Sequence, residues 1–138
     1  MQWRNIPILL AFVLLAISLL VAQNAAVKQV PLRNIPAADG HQMYAAYCAS
    51  CHGEDGRGGA AAVALKHAPA DLSLLSRANH GRYPSLRVRQ SILASEHCPE
   101  MPQWRGLFQT LSSGGRMNEA ETLARAVNLT RYVETLQR

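Results

Sequence analysis

The hydrophobic pattern divides the chain into an apolar N-terminal run and a longer stretch of amphipathic segments. The run from Ile6 to Ala22 contains no charged residue, and Arg4 precedes it. This order is typical of secretory signals, and the run has the minimum length for one bilayer-spanning helix. Residues 1–22 are therefore predicted to be a single transmembrane anchor, which we favour, or a signal peptide with Ala22 as the candidate cleavage position.

The rest of the chain is predicted to lie on the periplasmic side of a bacterial cytoplasmic membrane, because Arg4 favours the cytoplasmic side for the amino terminus. Residues 23–36 are predicted to be a linker, since Pro31 and Pro36 block a continuous helix there. Residues 37–138 then form one domain, because the 138-residue chain is too short for two.

The domain is predicted to be all-α, because no segment alternates apolar and polar residues as a strand does. Its first helix should run from Gly40 to Ala49, with Asp39 as the N-cap and an apolar face. That face is formed by Met43, Tyr44 and Tyr47. Three or four short helices in all are expected.

The last helix is predicted to begin at the cap Asn118 and to end near Gln137. Its buried stripe should consist of Ala126, Leu129, Val133 and Leu136. Between the first and last helices, residues 84–94 are predicted to form a helix, residues 60–65 a single helical turn, and residues 96–115 an irregular segment.

Charge changes this picture little. Fourteen basic residues against nine acidic ones give a net charge of +5. The basic residues are scattered, and no run of them resembles a nucleic-acid-binding arm, so we expect no nucleic-acid partner.

The motif with the clearest chemistry is Cys48-Ala49-Ser50-Cys51-His52. This C-x-x-C-H spacing is typical of covalent haem attachment. Cysteines at i and i+3 lie about one helical turn apart, so both thiols can form thioethers with vinyl groups of one porphyrin. His52 then lies under the iron as the proximal ligand. A redox dithiol and half of a zinc site are weaker interpretations, because neither a βαβ pattern nor a second Cys/His pair of suitable spacing is visible.

A methionine is the candidate for the opposite face of the iron. Met101 precedes Pro102, which disfavours helical backbone for Met101 and so presents its thioether from a loop. In the presence of the haem motif we predict Met101 as the second axial ligand, although a gap-filling core methionine is the alternative. The remaining methionines and histidines are weaker rivals: Met43, Met117, His41, His67, His80 and His97.

Three further residues have two open interpretations each. The carbonyl of Pro69 is a candidate acceptor for the second ring nitrogen of His52, or Pro69 is a simple turn proline. Trp104 either donates its indole N–H to a haem propionate or is a half-buried core residue. Cys98 has no partner within the chain once Cys48 and Cys51 hold haem, so it is either buried and inert or pairs with another chain.

These residues together resemble the class I c-type cytochromes, of the small bacterial monohaem kind. The resemblance covers residues 37–138 and rests on the haem motif, the Met101-Pro102-x-Trp104 loop and a set of flanking residues. The flanking residues are Gly40, Tyr44, Gly53, Gly56, Gly58, Pro69, Asp71, Leu72 and Tyr132. The resemblance implies that Gly40 lets the first and last helices cross closely near Tyr132, and that the Pro69 carbonyl holds His52.

The predicted function is single-electron transfer by one covalently attached haem c, between protein redox partners of a periplasmic or respiratory chain. No catalytic residue and no small-molecule substrate are expected, although the protein would also suit the haem subunit of a larger oxidoreductase complex. A haem-based gas sensor or peroxidase-like enzyme with a labile sixth ligand is the alternative. A third hypothesis is a structural or assembly subunit that does not need its haem.

Overall fold

The computed structural model describes residues 32–94, 100–112 and 117–138. The predicted N-terminal anchor or signal and Cys98 lie outside these ranges. Arg33–Arg138 form one compact unit. Across the described residues the unit is built from α-helices and 3₁₀ turns without strands, which confirms the predicted all-α class. None of the described helices combines the length and the apolar character that crossing a membrane requires.

The α-helices among the described residues are α1 Gly40–Tyr47, α2 Ala49–His52, α3 Leu75–Ala78, α4 Ser85–Ala94, α5 Trp104–Leu111 and α6 Met117–Thr135. The 3₁₀ turns are Ala60–Ala64 and Leu72–Leu74. Helix α6 is the longest and packs against α1, α4 and α5, while α4 also packs against α5.

Helix α1 begins as its sequence predicts. The carboxylate of Asp39 accepts a hydrogen bond of 2.8 Å from the backbone N–H of Gln42, which satisfies one of the unpaired donors of the first turn. Met43, Tyr44 and Tyr47 are buried, so the predicted apolar face is confirmed. The helix ends at Tyr47, two residues earlier than predicted, and α2 begins directly after Cys48.

A close crossing of α1 and α6 is confirmed at Gly40. A Cβ atom at this position would stand 2.3 Å from the carbonyl oxygen of Asn128 and 3.2 Å from the Cβ of Tyr132. The ring of Tyr132 packs against the ring of Tyr44, with centroids 5.0 Å apart. Glycine therefore sets the distance between α1, which ends directly before Cys48, and α6, the longest of the described helices.

The predicted irregular segment 96–115 is wrong where α5 lies. Four apolar residues recur there at helical spacing and form one face: Trp104, Leu107, Phe108 and Leu111. Trp104 and Phe108 are buried, and both rings pack against Tyr47, with centroid distances of 5.5 and 6.0 Å. The helical spacing of these residues is visible in the sequence, but the short helix gains its stability from this aromatic contact.

The last helix follows the prediction with two corrections. It begins at Met117, so Asn118 lies in its first turn and is not the cap. Ala126, Leu129 and Val133 are buried, but Leu136 lies beyond the helix end and is only half-buried.

The residues just before α1 pack on the domain. Ile35 is 4% exposed, and its backbone N–H donates to the hydroxyl of Tyr47 at 3.1 Å. The guanidinium of Arg125, itself 1% exposed, donates to the carbonyl of Ile35 and, at 3.1 Å, to the amide oxygen of Asn34. The end of the predicted linker is thus held by a buried charge on α6.

Candidate functional site

The two cysteines lie on one helical turn. The carbonyl of Cys48 accepts hydrogen bonds from the backbone N–H groups of Cys51, at 3.2 Å, and of His52, at 2.9 Å. Both thiols are free and half-buried. The helical turn brings them to the same side of the backbone, as attachment to one edge of a flat ring requires.

The imidazole of His52 is oriented by a backbone carbonyl. Its Nδ1 lies 3.1 Å from the carbonyl oxygen of Ala70. A carbonyl can only accept, so Nδ1 carries the proton and Nε2 keeps a free lone pair for a metal ion. Burial lowers the pKa of His52, and the bond to Ala70 offsets part of this effect, so the imidazole is neutral, as a ligand must be.

The acceptor is therefore one residue later than predicted. The carbonyl of Pro69 was expected to hold His52, whereas the structure uses that of Ala70. Segment 68–70 is neither helix nor turn, and neighbouring carbonyls of an extended chain point in different directions. Sequence can identify such a segment, but only the packing of the chain decides which of its carbonyls meets the imidazole.

Glycines close the loop that follows His52. The backbone N–H groups of Gly58 and Gly59 donate to the carbonyls of His52 and Cys51, at 2.7 and 2.8 Å. A Cβ at position 59 would stand 2.2 Å from the carbonyl oxygen of Ser50, and Gly53 has a φ of +79°. A side chain at position 59 would push the loop away from the turn that carries both cysteines.

The hydroxyl of Tyr44 holds the same loop from the core side. It donates a hydrogen bond of 2.7 Å to the carbonyl of Gly53. Burial, with a smaller effect of the neighbouring Cys48, raises the pKa of Tyr44 well above its usual range, so the phenol stays protonated and remains a donor.

The electrostatics of Cys48 argue against a redox dithiol. Burial, followed by the neighbouring Cys51, raises the pKa of the Cys48 thiol to about 12. Redox-active cysteines instead have lowered pKa values, because the thiolate is the reactive form. No group of three or more His, Cys, Asp or Glu side chains suited to a metal ion occurs in the described ranges.

Met101 lies in a half-buried, non-helical position three residues before α5. The ring of Trp104, the first residue of α5, packs against Tyr47, which precedes Cys48. Three residues of chain span at most about 10 Å, so this contact keeps Met101 near the cysteine turn. On the other side of Met101, the carboxylate of Glu100 accepts hydrogen bonds from two backbone amides.

The other predicted candidates fall into different places. Met43 is fully buried, with its sulfur 3.9 Å from the Arg125 guanidinium, so it is unsuited to ligation. The ring of His41 packs on Tyr132 with a centroid distance of 5.1 Å. Trp104 is 5% exposed and fully part of the aromatic core. A bond from its indole to a propionate stays a prediction.

The distribution of apolar side chains fits a large flat group beside the turn. Among described residues 54–94 and 100–103, Ile92 is the one apolar side chain in the buried core. Several larger apolar residues there are only half-buried: Leu65, Leu72, Leu74, Leu75, Val88, Leu93 and Met101. Together with two thiols, one neutral imidazole and one thioether, these residues fit haem, which would supply this half of the domain with apolar contacts.

Comparisons with known proteins identify the family. No curated protein and no solved structure matches the chain. Residues 37–121 match the family model described as Cytochrome c, and this match covers more than half of the chain, including the cysteine turn and Met101. The chain therefore belongs to the cytochrome c family, and like its members it is a haem-binding electron-transfer protein with covalently bound haem c.

Proposed function

We propose that the protein carries single electrons on one haem c, attached through Cys48 and Cys51 and ligated at the iron by His52 and Met101. The orientation of His52 carries the proposal, because the Ala70 carbonyl at 3.1 Å holds the proton on Nδ1 and leaves Nε2 for the iron. The partners are protein redox partners in a periplasmic or respiratory chain, and the protein is also suited to be the haem subunit of a larger complex.

The proposed ligands are suited to electron transfer rather than to catalysis. Bound haem supplies an iron that gains and loses one electron. His52 and Met101 are neutral donors that would hold the iron, and a His/Met pair would raise its reduction potential. Contacts with partners would be brief and small, and the net charge of +5 would influence encounter rate more than affinity.

Haem attachment is tested on the purified protein from a host that attaches haem to cytochromes. We expect the intact mass and the pyridine haemochrome spectrum to report one haem per chain, bound by two thioethers. A variant with Cys48→Ser and Cys51→Ser should be colourless. Haem that acid acetone removes from the wild-type protein would refute covalent attachment.

Axial ligation is tested by replacing the thioether. Met101→Ala should abolish the weak red absorption band of thioether-ligated ferric haem, whereas the core substitution Met43→Leu should leave it intact. Reduced wild-type protein should bind carbon monoxide slowly and weakly, because His52 and Met101 would both bind the iron. Rapid, tight binding would instead support a gas sensor or a peroxidase-like enzyme.

The proposed location on the periplasmic side of the membrane depends on residues 1–22. N-terminal sequencing of the membrane-bound and soluble fractions distinguishes a cleaved signal peptide from a retained membrane anchor. A protein that begins near Gln23 is a secreted carrier with a cleaved signal, whereas a membrane-bound protein that retains Arg4 is an anchored one. A protein retained in the cytoplasm would contradict both.

A further inference from the structure

A carboxylate next to the proposed ligand Met101 joins two distant parts of the chain. Glu100 Oε1 accepts a hydrogen bond of 2.6 Å from the backbone N–H of Lys66, and Oε2 accepts one of 3.0 Å from the backbone N–H of His67. His67 Nδ1 lies 3.2 Å from the same Oε2. Both oxygens are therefore engaged, and two consecutive amides fix the orientation of the carboxylate.

The segment that holds Glu100 also holds His52. At one end of residues 66–70, the backbone amides of Lys66 and His67 donate hydrogen bonds to the Glu100 carboxylate. At the other end, the carbonyl of Ala70 holds the His52 imidazole. Four peptide units separate the two ends, a distance of at most about 14 Å. Pro69 lies between them and restricts the backbone, because its φ is fixed near −65°.

This segment is in turn attached to the cysteine turn. It follows the 3₁₀ turn Ala60–Ala64, which packs against α2. The backbone N–H of Leu65 donates to the carbonyl of Ala62 at 3.2 Å and ends that turn. Residues 66–70 are thus attached to the cysteine turn at both ends, through the 3₁₀ turn that precedes them and through the contact of Ala70 with His52.

We propose that Glu100 is a positioning residue for the axial thioether, and that residues 66–70 are a bridge that holds both ligand-bearing segments in register. Met101 is flanked by two attachments, the Glu100 carboxylate on one side and the Trp104 ring on the other. Both attachments restrict the conformations of the loop, so the Met101 thioether would already lie close to the position in which it binds the iron. This inference rests on the proposed His52 and Met101 ligation.

The test compares four single variants of the full haem-loaded protein with wild type. Glu100→Ala removes both acceptors, and Glu100→Gln keeps one. His67→Ala removes the side chain but leaves its backbone amide. Glu119→Ala is the matched control. The Glu119 carboxylate also contacts the segment next to Met101, because it forms a 2.6 Å ion pair with Arg105 of α5.

Three readouts separate positioning from general stability. They are the red thioether band of the oxidised protein, the rate of carbon monoxide binding to the reduced protein, and the hydrogen exchange of the amides of residues 66 and 67. Glu100→Ala should weaken the band, speed carbon monoxide binding roughly tenfold and expose both amides to exchange. Glu100→Gln should be intermediate, and His67→Ala and Glu119→Ala should resemble wild type.

Each outcome has one meaning. A wild-type protein without the band refutes the proposed Met101 ligation, and the inference with it. The second outcome is a wild-type protein that has the band and a Glu100 variant that behaves like it. If Glu100→Ala, or the milder Glu100→Gln, keeps the wild-type band and the wild-type rate of carbon monoxide binding, positioning by Glu100 is refuted. The proposed function then still stands. Equal effects of Glu119→Ala and Glu100→Ala would likewise reduce the role of Glu100 to general stability.

Discussion

The crossing of α1 and α6 predicts that Gly40→Ala destabilises the protein. The added Cβ would stand 2.3 Å from the Asn128 carbonyl oxygen, where contacts under 3.0 Å are essentially never seen, so one backbone must move by about 0.7 Å, the difference between the two. Neither neighbour is a flexible side-chain end. The movement would also disturb Tyr44, which is 1% exposed and packs on Tyr132.

The size of the effect follows from two opposing terms. Overpacking in a well-filled interface costs about 1–3 kcal/mol. Replacing glycine by alanine in a helix returns at most about 1 kcal/mol, and less at the first helical position. We therefore expect Gly40→Ala to lower the free energy of unfolding by about 1–2 kcal/mol, which corresponds to roughly 4–16 °C in Tm for a domain of this size.

Gly106→Ala is the matched control. Gly106 lies within α5, and a Cβ there would meet nothing within 4 Å. Only the higher helix propensity of alanine remains, so this variant should raise the free energy of unfolding by about 0.5–1 kcal/mol. Both are measured by denaturant unfolding of the oxidised haem-loaded protein, followed by far-ultraviolet circular dichroism. A Gly40→Ala variant as stable as Gly106→Ala would show that the helices do not cross at this distance.

Three further predictions concern the loop after the motif, the buried charge and a capping carboxylate. Gly59→Ala places a Cβ 2.2 Å from a carbonyl of the cysteine turn, so the ratio of haem to protein should fall; full loading would contradict this geometry. Arg125→Met leaves the Ile35 carbonyl unpaired in the core and should lower the free energy of denaturant unfolding by about 1–3 kcal/mol, whereas a loss below about 1 kcal/mol would mean that the residues before α1 are not held. The pKa of Asp71 is lowered, first by its hydrogen bond from the Ser73 hydroxyl, so its contribution to stability is present at neutral pH and disappears as the pH falls through that lowered pKa. The Tm difference between wild type and Asp71→Asn should accordingly shrink in acid, and a difference independent of pH would refute the linkage.

Local patterns predicted much of the helical framework. The cap at Asp39, the apolar face of α1 and the stripe of α6 all follow from spacing within a few turns of one helix. The spacing of Cys48, Cys51 and His52 likewise predicted a haem-attachment turn, because such a turn depends on no long-range contact. A helical turn is a local structure, so its residue spacing contains the relevant distances.

Helix α5 shows where local patterns were insufficient. Its apolar spacing is regular, but it is short and contains Gly106, so propensity alone does not favour it. The contact of Trp104 and Phe108 with Tyr47 joins residues more than fifty positions apart. Such a contact depends on how the chain folds back, which no window of sequence contains.

Sequence by itself determined that this protein binds haem covalently. Such attachment needs two cysteines and a histidine within one helical turn, and their spacing can be read directly from the sequence. Only the tertiary structure decided which carbonyl orients His52, that Glu100 reaches the amides of residues 66 and 67, and that Arg125 is buried against Ile35. These contacts join residues 18 to 90 positions apart. Their identity depends on the register of packed segments, where a shift of one residue exchanges one hydrogen-bonding group for another.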